Sequence, residues 1–235
     1  RSSAASDVYK RQGVGSVATY PFGRGGFEVS KLEEATAKRY LPPAELSKLK
    51  STTASNPQCE YARKLFLFSY YCYGISFIDM AMLTAAHIKQ MEDGDYIVYK
   101  RQKIKRQKGV KPISIKITPA IRQLIGSLQA GSPTVDDFLL PVVTRSGYTG
   151  ERLYMHIRAR YSKYQKYLRL LAEELGIDFH LTSYVSRHTA AMTLQRNHIP
   201  REVISQMLGH ADLETTNIYL DSFDNGVINE AAKVL

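Results

Sequence analysis

The chain has 235 residues, 44% hydrophobic and 23% charged, an ordinary globular balance that excludes wholesale disorder. At about 150 residues per domain, that length predicts one or two domains. Lys and Arg number 32 against 22 Asp and Glu, a net charge of +10 that points to nucleic acid or an anionic membrane surface as partner. Two cysteines, Cys59 and Cys72, exclude a disulfide framework and four-cysteine zinc sites, and fit a reducing, cytoplasmic compartment.

Residues 1–19 (RSSAASDVYKRQGVGSVAT) have neither helical nor strand period and read as a disordered or non-native leader. A linker-like stretch follows, with Pro21 and glycines at 23, 25 and 26, and the compact domain is expected to occupy residues 37–235. The most apolar stretch, Leu65–Ala86, contains Asp79, and its uncharged run ends at Ile78, short of the roughly 20 residues of a membrane span. Its first seven residues hold four aromatics, so it reads as buried core, and no membrane association is expected.

Pro43 is placed to open a short helix, AELSKLK. From Gln58 to Thr84 the spacing suits buried helices broken around Gly74. Tyr96–Tyr99 and Ile113–Ile117 read as two strands, the second in strict alternation. Thr118 can cap a helix from Pro119. After a loop from about Gly131 to Gly150, Tyr164, Tyr167, Leu168, Leu171 and Leu175 recur at helical spacing until Gly176. Thr182 or Ser183 can cap a helix to about Asn197, and Pro200 opens another that Gly209 closes. Asp212 suits the N-cap of a last helix through Tyr219. The expected fold class is mainly α with a small antiparallel β-sheet, an α+β domain carrying one basic hairpin.

Three features carry chemistry, each beside a plainer reading. Residues 99–116 hold eight basic side chains and no acid, either a solvated loop or a phosphate-contacting hairpin. Arg187 and His188 sit early in a helix, where a cation opposes the dipole, so Arg187 is either a buried structural arginine or a functional one. Gly209 exposes His210 at a turn, with Tyr219 nine residues on, although a lone His or Tyr is weak evidence. Together they suit phosphoryl chemistry: a guanidinium fork for phosphate oxygens, an imidazole, a lysine for a leaving oxygen and a phenol nucleophile. No carboxylate cluster suggests a two-metal nuclease and no phosphate-binding GxxxxGK[ST] loop is present, so no cofactor is implied.

The motifs TSYVSRHTAA (182–191), IPREVISQMLGH (199–210) and TTNIYLDSF (215–223) resemble, in order and spacing, the tyrosine recombinases or phage integrases. The likeness is strongest to integrases of bacterial conjugative transposons, and implies the tyrosine recombinase catalytic-domain fold. It implies that Tyr219 attacks a DNA phosphodiester to give a 3′-phosphotyrosyl link, that Arg187 clamps the non-bridging oxygens and that His210 hydrogen-bonds the same phosphate. A hairpin lysine would protonate the departing 5′-oxygen. Lys103 follows the family's Tyr-x-Arg-x-Lys pattern and is preferred, while Lys108 fits when counted back from the second strand. Tyr184 stands where the family has a histidine and Asp79 fits the family's acidic position, and the resemblance implies that both belong to the catalytic set. Lys100, Arg101, Lys105, Arg106, Lys108 and His188 are the expected DNA contacts. The implied partners are double-stranded attachment-site DNA, further copies of the chain in a tetrameric synapse, and accessory DNA-bending proteins.

The sequence departs from the family at YCYGISFIDM (71–80). Ser76 occupies the position of a usual arginine, and Tyr73 the position where some relatives carry one. One phosphate clamp is therefore missing unless Arg63 or another arginine supplies it, which makes a catalytically impaired DNA-binding remnant the alternative to an active recombinase. A type IB topoisomerase-like relaxing enzyme would share the chemistry without site specificity. Residues 1–36 are too short for the family's core-binding domain and would be the end of its linker.

Overall fold

The computed structural model describes residues 40–104 and 111–210. Helix α1 (Pro43–Ser51) begins at a proline, whose missing N–H is no loss at that position, and buries Leu46 and Leu49. Helix α2 (Pro57–Tyr71) also starts at proline and is capped by Asn56, which accepts from the amides of Gln58 (2.8 Å) and Cys59 (3.4 Å). Leu65, Phe66, Leu67 and Phe68 are consecutive and all buried, so the second half of α2 is enclosed on every side and lies inside the core. It packs against α4 (Pro119–Gly131), α5 (Gly150–Glu174) and α6 (Ser183–Arg196).

The break expected around Gly74 is present. Tyr73 and Gly74 both take positive φ, 57° and 72°, which no helix can continue. Ser76 then caps the short helix α3 (Phe77–Ala81) by accepting from the amide of Asp79 at 3.2 Å. Phe77 stacks on Tyr164 of α5, with ring centroids 5.1 Å apart, and so ties this turn to the longest helix.

The sheet has three strands where two were expected: β1 (Ile88–Met91), β2 (Gly94–Tyr99) and β3 (Ile113–Lys116), antiparallel in that order. Strand β1 reads Ile-Lys-Gln-Met, and only Ile88 is partly buried, so no alternation marks it. Across β2 and β3, Ile97 faces Ile115 and Tyr99 faces Ile113, and all four side chains are buried on the core face.

Helix α5 starts at Gly150, well before the apolar repeat that betrays it, because its first half buries only Ile157. Thr118 caps α4 as expected, accepting from Ile121 N at 3.4 Å. Thr182 stands at the N-cap of α6 without a side-chain cap bond, and Gln165 of α5 instead accepts the Ser183 amide at 2.9 Å. Helix α7 (Arg201–Leu208) packs Ile204 and Leu208 against Ala191 and Met192 of α6 and also touches β3. No helix among the described residues is long and apolar enough to cross a membrane. The helix expected through Tyr219 lies outside the described residues, as do Lys105, Arg106 and Lys108.

Candidate active site

Arg187 is the fifth residue of α6 and only 5% exposed. A charge so buried must be met by polar groups. Its Nη1 donates to the Gly74 carbonyl at 3.1 Å, and its Nη2 donates to the Leu208 carbonyl at 2.5 Å and lies 2.8 Å from Nε2 of His210. Because the guanidinium can only donate, Nε2 accepts and the imidazole proton is assigned to Nδ1. One fork thus spans the turn after α2 and the end of α7.

The end of α7 is a Schellman closure. Gly209 takes φ 65°, its amide reaches Gln206 O at 3.0 Å and the His210 amide reaches Ser205 O at 3.0 Å. A Cβ there would also press on β3, standing 2.9 Å from Ile113 Cγ1, so the turn needs glycine for space as well as for φ.

The basic hairpin is fastened to this turn at its root. Arg101 Nη1 donates to the Gly209 carbonyl at 3.3 Å, so Arg101 and Arg187 hold consecutive carbonyls. On the other side, Asp79 Oδ1 accepts from the Gln102 amide at 2.7 Å, and its Oδ2 accepts from the Ser76 hydroxyl at 2.6 Å. Asp79 is 3% exposed and acts as a tether between α3 and the hairpin. Lys100 and Lys103 project from this anchored base as exposed side chains, and the Ile104 amide closes a turn onto Arg101 O at 3.1 Å.

Tyr184 is 53% exposed and meets His188, one turn on, edge to face at 4.9 Å. Arg63 is not at this site. It forms a bidentate pair with Glu60, both contacts 2.7 Å, and donates to Leu49 O at 2.8 Å, which fixes the end of α1. Burial pushes the Glu60 carboxyl upward, but the bonds from Arg63 and the Ala54 amide prevail and hold it below its ordinary range. Burial raises the Cys72 thiol far above its usual value, which leaves it an inert neutral group. Among the described residues no cluster of three or more His, Cys, Asp or Glu could hold a metal ion.

The sequence singled out Arg187 and His210, which the structure brings together, but not the groups that hold them. The carbonyl groups of Gly74 and Leu208 leave no residue-type signal. The Tyr-Gly pair after an apolar helix marked the break but not its partner.

A mostly helical domain with a three-stranded antiparallel sheet, its hairpin rooted beside an arginine–histidine turn, has the tyrosine recombinase catalytic-domain fold. The phage integrase family model matches residues 39–225, and the chain belongs to that family. Among curated relatives, tyrosine recombinase XerD of Halalkalibacterium halodurans is 43% identical over 54 residues, covering 23% of this chain and 18% of that protein. XerD of Brucella abortus is 31% identical over 121 residues, 48% of this chain and 36% of the relative. The chain therefore spans well under half the length of these curated relatives. Of solved structures, XerA recombinase superposes with TM-score 0.57 at 22% identity, covering 83% of this chain and 64% of its own. The Tn1549 transposon integrase, in complex with transposon right end DNA, gives TM-score 0.64 at 12% identity, covering 98% and 76%.

Proposed function

We propose that residues 37–235 form the catalytic domain of a site-specific recombinase that breaks and rejoins DNA through a tyrosine, in integration and excision of a mobile element. The observation that carries this reading is the 2.8 Å approach of Arg187 Nη2 to His210 Nε2 in a member of the phage integrase family. A scissile phosphate beside that pair would take guanidinium donation on one non-bridging oxygen and imidazole contact on another. Removing one such donor costs about 10²–10³ in rate, because it acts where charge develops.

Tyr219 supplies the nucleophile. Its oxygen bonds to phosphorus as the phosphorus–O5′ bond breaks, its proton passes to water, and the 5′-oxygen gains a proton from Lys103 or Lys108. The phosphodiester energy stays in the 3′-phosphotyrosyl link, and attack by another 5′-hydroxyl reverses the step. Arg101, which donates to the same α7-end turn as Arg187 does, would stand in for the clamp missing at Ser76. Asp79 positions the hairpin, and Tyr184 and His188 offer a polar edge to the DNA. Lys100, Lys105 and Arg106 meet the phosphate backbone. Double-stranded attachment-site DNA, further copies in a tetrameric synapse and DNA-bending proteins are the partners, and the cytoplasm is the compartment.

Ser76 favours a second reading, a DNA-binding remnant with impaired cleavage, since it caps α3 where relatives carry an arginine. Nicked suicide duplexes made from a library of cloned element ends separate the two. Active recombinase yields a denaturant-resistant protein–DNA band that is lost in Tyr219→Phe and Arg187→Lys. Binding without any such band supports the remnant.

A further inference from the structure

Ser69 and Ser186 are buried where α2 packs on α6, at 1% and 0% exposure, with their Oγ atoms 2.7 Å apart. Ser69 lies within the apolar run of α2, where a hydroxyl is out of place unless it is used. Its hydroxyl is 2.8 Å from the Ile75 carbonyl, and that of Ser186 is 2.8 Å from the Ser183 carbonyl. Two hydroxyl protons thus face three short contacts. With Ser69 donating to the Ile75 carbonyl, the one Ser186 hydroxyl proton is shared between the Ser183 carbonyl and Ser69 Oγ, and the chain of contacts runs from α6 through α2 to the turn after it.

That turn carries the Gly74 carbonyl, which receives Arg187 Nη1. The Gly74–Ile75 peptide is held through its own N–H, which reaches Cys72 O at 3.1 Å. Ser69 holds the peptides on either side of it. Its carbonyl accepts the Gly74 amide at 2.7 Å, and its hydroxyl takes the Ile75 carbonyl. Adjacent residues of α6 therefore reach the same turn by two routes, Ser186 through Ser69 and Arg187 directly. We infer that Ser69 and Ser186 are positioning residues that aim the Arg187 guanidinium by fixing the Gly74 carbonyl.

The consequence for catalysis rests on the recombinase reading, but the positioning itself does not. In the full chain, the ¹⁵N-labelled guanidinium signals of Arg187 are identified by their loss in Arg187→Lys. Ser69→Ala and Ser186→Ala are each expected to shift or broaden those signals, and the double variant to do no more than the stronger single one. If one variant fails to fold, the other carries the test. Unmoved Arg187 signals in a folded variant overturn the inference.

Single-turnover cleavage supplies a readout that a merely structural role would not move. On a normal phosphodiester the variants are expected to cleave about ten- to a hundredfold more slowly, as mis-aimed groups do. On a methylphosphonate at the scissile position, which lacks the negative oxygen, the loss should shrink below about twofold, since the charge that Arg187 meets is gone. Equal losses on both substrates contradict positioning through Arg187. Wild-type protein that cleaves no DNA defeats the recombinase reading, and the resonance measurement still decides the pairing.

Discussion

A methyl group placed on Gly74 would stand 2.5 Å from Arg187 Cβ and 2.6 Å from its Cγ. Residue 74 also holds φ 72°, where a side chain costs roughly 1–2 kcal/mol before any clash. Overpacking a tight site adds about 1–3 kcal/mol. Gly74→Ala is therefore expected to lower unfolding free energy by roughly 2–5 kcal/mol, the sum of those two effects. Urea denaturation measures it, and a change below about 0.5 kcal/mol, the size of an ordinary surface substitution, contradicts the packing described.

Asp79 anchors the hairpin through a backbone amide, so its loss should be felt there first. In Asp79→Ala the Gln102 amide loses its acceptor and should exchange with solvent at least tenfold faster by hydrogen–deuterium NMR, while amides of α2 keep their protection. Asp79→Asn retains one carbonyl oxygen and should keep most of the protection. Unchanged exchange at Gln102 in the alanine variant would remove the tether from the account.

Much of this arrangement was legible in the sequence, and the gaps have physical causes. The Arg187, His210 and Gly209 spacing survives because helix starts and stops constrain residue type at each position. The break at Gly74 and the cap at Thr118 were readable for the same reason. Strand β1 and the first half of α5 were not, because each buries a single residue or less and so carries no period. Arg63, considered as a substitute clamp, is instead paired with Glu60, and the i,i+3 spacing of the two on one helix was the signal that could have revealed that partner.

That pairing has its own test. Arg63→Met leaves Glu60 without its bidentate partner in a largely buried setting and should destabilise the fold by about 3 kcal/mol. Adding Glu60→Gln to it should recover part of the loss. Since Arg63 lies away from Arg187, cleavage by the folded fraction should match wild type. A selective rate loss without destabilisation would instead make Arg63 a phosphate ligand.

Acid should loosen the segment before α5. His156 accepts from the Thr144 amide at 3.2 Å, and burial, then Arg160, Arg145 and Lys163, lower its pKa. With the folded pKa below the unfolded value of about 6.5, the contribution to stability is present above that pH and is lost as pH falls through the folded value. Thermal melts should fall across that window in wild type and fall less in His156→Asn, which can accept the same bond without titrating. Identical pH slopes for the two proteins would contradict this assignment.

The most direct test of the central claim is to digest a trapped protein–DNA adduct and locate the modified residue by mass spectrometry. Tyr219 should carry the 3′-phosphonucleotide, and the adduct should be absent in Tyr219→Phe. A nucleotide on any other of the chain's 16 tyrosines, or an adduct that persists in Tyr219→Phe, would contradict the mechanism.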